Sequence, residues 1–144
     1  MSFIFSFQKV LDVKEKEKEL AEQQFGSVKN KQLELELKMK GLESEKDKAF
    51  HQYDHVNRKT VMEIMEFQQG IDHVNHQLKQ LEIQSQLIEQ EVEKQQQVLI
   101  EKSKEAKMWN QWKAKSKLAF ETMVNQKEQA MLDEMAVIRH SRRH

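Results

Sequence analysis

Apolar residues recur along this chain with a period of seven, in two frames that do not join. Counting from Ile4, position a holds Ile4, Leu11, Lys18, Phe25, Gln32, Met39, Lys46 and Tyr53, and position d holds Phe7, Lys14, Ala21, Val28, Leu35, Leu42, Ala49 and Val56, so that twelve of sixteen are apolar. Extending the frame puts Thr60 and Glu63 in the seam, and there the pattern stops. A second frame opens at once, with a at Ile64, Ile71, Leu78, Ser85, Val92, Leu99, Ala106, Lys113 and Phe120, and d at Phe67, Val74, Leu81, Ile88, Gln95, Lys102, Trp109, Ser116 and Met123; thirteen of eighteen are apolar. Heptads sustained this long predict two coiled-coil helices, about 2–57 and about 61–140, because one surface helix needs far fewer.

The break near residue 60 is a stutter in one rod or the turn of a hairpin. Thr60-Val61-Met62-Glu63 fits a capping box, in which the hydroxyl takes an orphan N–H and the carboxylate reaches back, so a new helix starts there. An antiparallel pair requires the residue numbers of facing seam positions to have a constant sum. Sums of 113, 120 and 127 satisfy both frames, and only 120 leaves a short turn, at about Asn57 to Thr60. At that sum Tyr53 faces Phe67, Val56 faces Ile64, Ala49 faces Ile71, Leu42 faces Leu78 and Leu11 faces Trp109. Lys18 opposite Lys102 and Lys14 opposite Ala106 are poorer layers, tolerable because long stems snorkel out of a thin seam. The same register exhausts helix one near residue 116 and leaves 117–144 unpaired, with Leu118, Phe120, Met123, Val124, Met131, Met135 and Ile138 forming an apolar stripe that seeks a partner.

Composition narrows the choice of architecture. Of 144 residues 38% are hydrophobic and 33% charged, with three Gly and no Pro, which excludes turn-rich and all-β folds and favours one elongated domain. The absence of Cys removes disulfides and thiolate metal sites, and 24 basic against 24 acidic residues exert no global pull on nucleic acid or anionic membrane. The opening apolar stretch is too short and wrongly flanked for a signal peptide, and no run approaches a membrane span, so the cytoplasm is the expected compartment.

Candidate chemistry is sparse. His51-x-x-x-His55 with Asp54 has the spacing of a zinc pair, but both imidazoles are at outer heptad positions with no third ligand fixed by spacing; His73 and His76 read the same way. No phosphate-cradling Gly-rich loop occurs, and a two-helix rod offers no water-excluding pocket for a Ser/His/Asp arrangement, so no enzyme, cofactor or metal is expected. Lys102, Lys104, Lys107, Lys113, Lys115 and Lys117, with Arg139, Arg142 and Arg143, are interrupted by Glu101, Glu105 and Glu121, the pattern of a solvated helical face rather than a nucleic-acid site. Trp109 has a seam slot whereas Trp112 has none, and an unslotted tryptophan suits a partner anchor.

Residues 5–17, FSFQKVLDVKEKE, followed by Leu20 and Ala21, resemble the start of FliJ family proteins of bacterial flagellar type III export. The surroundings of Tyr53 and Phe67, residues 113–120, and Gln126, Lys127, Glu128 and Gln129 with Leu132, Asp133 and Glu134 are similar to that family too, so the resemblance spans the whole chain. One departure is a turn without Gly, Gly70 lying inside helix two instead. The resemblance implies an antiparallel two-helix coiled coil, like the stalk of rotary ATPases, that inserts its terminal end into the export ATPase ring. It also implies contact with the cytoplasmic domain of the export gate and with export chaperones. On this chain the implied ATPase-binding residues are Phe3, Phe5, Phe7, Lys9, Trp109, Trp112, Phe120, Met123 and Met131, and the implied gate-binding residues are Leu42, Tyr53, Phe67, Ile71 and Val74.

The expectation is therefore an all-α, long antiparallel two-helix coiled-coil hairpin, non-enzymatic, without cofactor or nucleic-acid partner, reaching the inner membrane only through its partners. The alternatives are a parallel homodimeric spacer with a stutter near Thr60 and an amphipathic membrane-surface protein, the latter disfavoured by interleaved Glu. Small-angle scattering with light scattering separates hairpin from spacer: at ~1.5 Å per residue, a hairpin monomer extends roughly 110–130 Å and a dimer of continuous helices roughly 200 Å. Proline at Arg58 or Lys59 should be tolerated by the hairpin, whereas a continuous helix loses ~3 kcal/mol.

Overall fold

The computed structural model describes residues 2–55 and 59–143. Their regular structure consists of two helices, α1 (Gln8–Asp54) and α2 (Val61–Arg143), of 47 and 83 residues. The architecture is the all-α helical hairpin read from the two heptad frames. Residues of high helix propensity dominate both segments and nothing interrupts them: the described residues contain no cis peptide and no positive φ. Every a and d position from Leu11 to Tyr53 and from Phe67 to Phe120 is buried or half-buried. That agreement over so many turns reflects the 3.5-residue period, which keeps one stripe facing a neighbour.

The seam fails at the ends of the two frames. Ile4, an expected a position, is 83% exposed, because α1 begins at Gln8 rather than near residue 2 and periodicity has no meaning outside the helix. Ile64 and Met123, at the outer ends of the second frame, are exposed as well. The layer Val56–Ile64 and the turn positions Asn57 and Arg58 lie outside the described residues.

The described residues form two compact units, 2–19 with 100–143 and 20–99. In the second, the buried core is Ala21, Leu35, Ile71 and Val92, with half-buried seam residues between them. Tyr53 stacks on Phe67 with ring centroids 3.9 Å apart, the pair predicted at an index sum of 120, and Phe50 meets the same phenylalanine edge-on at 5.2 Å. Lys59 places its Nζ 3.3 Å from the Tyr53 ring centroid, so the ring is held between a cation and an aromatic face. The capping box forms as expected. The Glu63 N–H donates to Thr60 Oγ1 at 3.2 Å, the Thr60 N–H reaches Glu63 Oε2 at 3.5 Å, and the first helical turn closes through Ile64 N–H to the Thr60 carbonyl at 3.1 Å.

In the first unit the core is Phe5, Leu11 and Ala106. Lys14, Glu17, Lys102 and Glu105 form a four-member ion network across the two helical segments. Lys14 Nζ donates to Glu105 Oε2 at 3.1 Å and Lys102 Nζ to Glu17 Oε2 at 3.2 Å. The layer that puts Lys102 level with Lys18 is thus relieved sideways, each seam ammonium reaching a glutamate of the other segment.

Two predictions follow from the packing. Leu11, at 1% exposure the most deeply buried large side chain, should lose about 2–5 kcal/mol on Leu11→Ala, read from the urea midpoint. Gly26 and Gly70 are helical, and a Cβ built on either meets nothing within 4 Å; Gly26→Ala and Gly70→Ala should each stabilise by about 0.5–1 kcal/mol.

Candidate functional site

The densest concentration of unusual side chains is an aromatic cluster in the first unit, built from the N-terminal segment and one stretch of α2. Residues 2–5 lie outside any regular element, and 6–7 turn into α1 through hydrogen bonds from Gln8 N–H to the Phe5 carbonyl (3.1 Å) and from Leu11 N–H to the Phe7 carbonyl (3.0 Å). The alternation Phe3, Phe5, Phe7 turns all three rings to α2. Phe7 stacks on Trp112 at 4.9 Å and approaches Trp109 at 6.0 Å, Phe5 meets Trp112 edge-on at 6.0 Å, and Phe3 lies 5.6 Å from Phe120. Trp109 and Trp112 are themselves 5.1 Å apart.

Elementary geometry explains how so short a segment covers so much helix. Outside a helix four residues can span ~13 Å, whereas eight helical residues rise ~12 Å, so the step from Phe7 to Phe3 keeps pace with that from Trp112 to Phe120. The constant-sum register therefore ends at Gln8, and N-terminal contact reaches Phe120, beyond residue 117 where the overhang was expected to begin. Past the half-buried Val124, every described residue of α2 is exposed, including Met131, Leu132, Met135, Val137 and Ile138, all at about half or more.

Of the residues expected to bind an ATPase, Phe3, Phe5, Phe7, Trp109, Trp112 and Phe120 are brought together, while Lys9, Met123 and Met131 stand exposed outside the cluster. Trp112 differs from the expectation of an unslotted anchor: its slot is supplied by Phe5, which heptad counting puts at an outer position, and by Phe7, which it puts in the seam; both precede the helix, where the count no longer sets which residue they face. It retains 44% exposure and, with Trp109 and the 68% exposed Met108, lines a shallow groove. Met108 and Val137 were not singled out from sequence, and Leu132 only among the residues that carry the family resemblance; the available signal was an apolar residue at an outer helical position. Of the expected gate-binding residues, Leu42, Tyr53, Phe67 and Val74 are half-buried in the helix–helix seam of the second unit and Ile71 is 7% exposed, so they support a surface more than they form one.

Titratable groups are sparse in special environments. His51 and His55 approach to 4.3 Å between ring centroids, and among the described residues no group of three or more His, Cys, Asp or Glu is arranged to hold a metal. In the same set no helix is long and apolar enough to cross a membrane. The hydrogen bond to Glu105 raises Lys14 above its ordinary value of 10.5, against a smaller opposing effect of desolvation, and the same bond holds Glu105 below 4.5.

A family model described as Flagellar FliJ protein matches residues 3–144. No curated protein and no solved structure gives a significant match.

The ion network makes a testable statement about pH. Glu105, lowered in the folded chain, stabilises it above pH 4.5 and ceases to as pH falls through its depressed value; Lys14, raised, stabilises it below pH 10.5 and ceases to as pH rises through its elevated value. Thermal melts should show Glu105→Gln lowering Tm at neutral pH, with the loss vanishing at strongly acidic pH and shrinking in 1 M salt, since all four side chains are partly solvated.

Proposed function

The chain belongs to the flagellar FliJ family and is a component of flagellar protein export, and from that premise we propose that it is a non-enzymatic stalk that binds the export ATPase ring, promotes its assembly or activity, and couples it to the export gate and export chaperones. The observation that carries this reading is the make-up of the first unit. An aromatic cluster of Phe3, Phe5, Phe7, Trp109, Trp112 and Phe120 sits beside a helical segment, residues 125–143, whose Met131, Met135 and Ile138 are about half exposed or more. Half-exposed tryptophans and adaptable methionines are the side chains that anchor protein interfaces.

In this mechanism the two parts divide the work. The cluster stiffens the end that enters the ring, so that a contact at one ATPase subunit biases its neighbours instead of bending the stalk. The exposed methionines and Lys9 supply contact area and charge. The gate contact belongs to the second unit, where Leu42 and Tyr53 present exposed edges to a partner and Phe67, Ile71 and Val74 hold them in place. Association with the inner membrane is through these partners, and neither nucleic acid nor cofactor takes part.

ATPase stimulation measured with the purified export ATPase tests the reading. A chain ended after Val124 keeps the aromatic contacts and should lose stimulation by roughly tenfold or more, the effect of removing an interface hot spot. Full stimulation by that chain would overturn the assignment of the contact to residues 125–143.

A further inference from the structure

The N-terminal segment does more than extend the seam. Along α2, Trp109, Trp112 and Phe120 make an aromatic floor, and Phe3, Phe5 and Phe7 of the non-helical residues 2–7 lie across it, backbone bonds joining Phe5 and Phe7 to the start of α1; beside the seated rings, Trp109 and Trp112 with Met108 line an open groove. What holds the segment is side-chain contact: Phe5 is 7% exposed, whereas its neighbours Ile4 and Ser6 are exposed, Ile4 to 83%. This is peptide recognition in miniature, an extended stretch whose alternate side chains enter an aromatic groove.

We propose that this groove is a binding site for extended peptide segments bearing aromatic residues at alternate positions, and that residues 2–7 are its built-in occupant, a strap that an incoming segment of the same kind must displace. The seated strap defines the ligand: rings at positions i, i+2 and i+4, the first meeting Phe120, the second edge-on to Trp112 and the third stacked on it. The strap lowers apparent affinity in proportion to the fraction of time it is seated, so a partner engages fully only when its own contacts outweigh that occupancy. The inference deepens the reading of this end as the ATPase-contacting end, but the groove and its strap do not depend on which partner arrives.

Both tryptophans of the chain lie in the groove, so their emission reports its occupancy directly. The probe is a synthetic peptide of residues 2–10 titrated against full-length chains, with a peptide carrying Ser at its three Phe positions as control. Against the native chain the expected response is weak; against Phe3→Ser/Phe5→Ser/Phe7→Ser, which empties all three ring positions, it is a saturable blue shift with apparent affinity roughly tenfold tighter, as for a strap seated about nine-tenths of the time. Phe3→Ser alone, which removes one half-buried ring at the chain end and leaves the helices untouched, should fall between the two, and circular dichroism checks that helicity is retained. Equal binding by native and variant chains, binding by the control peptide, or no binding by the Phe3→Ser chain overturns the proposal. None of these readouts involves the ATPase, so a failed stimulation experiment leaves this site standing and a failed peptide titration leaves the stalk reading standing.

Discussion

A seam one side chain thick sets the terms for everything else in this molecule. Two helices packed on each other bury a narrow stripe, and most residues in it keep an edge in water, which is why the interface is made mostly of half-buried residues with few fully buried ones. A lysine is affordable in such a seam. Lys14 and Lys102 keep their stems in the stripe and carry their ammonium groups to Glu105 and Glu17 at its margin, where the charge stays partly hydrated. The same thinness means that stability comes from many similar layers, and the aromatic ones, Tyr53 on Phe67 and the cluster around Trp112, concentrate contact area where chain ends and reversals would otherwise fray.

Length is the second constraint. With α2 at 83 residues and α1 at 47, pairing by constant index sum leaves part of α2 without a helical neighbour. The chain meets part of that deficit by abandoning the helix before Gln8, since each non-helical residue covers about twice the axial distance of a helical one. Three phenylalanines at alternate positions then protect α2 as far as Phe120, and residues 125–143 are left presenting methionines to solvent. A component of flagellar export built this way has an aromatic-packed segment next to an exposed helical one.

The seam was legible because a coiled coil is a repeating object. Position in the heptad decides burial, and Leu11, Ala21, Leu35, Ile71, Val92 and Ala106 are all seam positions by counting alone. The Thr60–Glu63 box was legible for the related reason that a helix start is a local event among four residues. Phe5 and Trp112 were not. Both fall at outer heptad positions, and their contact arises from a segment obeying a two-residue alternation beside a helix obeying a 3.5-residue one. The family resemblance had marked these residues as belonging together without saying that they touch.

What the amino-acid sequence determined by itself is therefore the part governed by short-range periodicity: two helices, their seam, the register of Tyr53 with Phe67, and the start of α2. What only the tertiary structure decided is where periodicity ends. Whether residues 2–7 continue the helix or lie across α2 depends on the balance between local hydrogen bonds and aromatic contacts some hundred residues away, and that balance exists only once α2 is in place. The pairing of Lys102 with Glu17 instead of a clash with Lys18 has the same origin, since a long side chain selects its partner from the three-dimensional neighbourhood and not from its heptad letter.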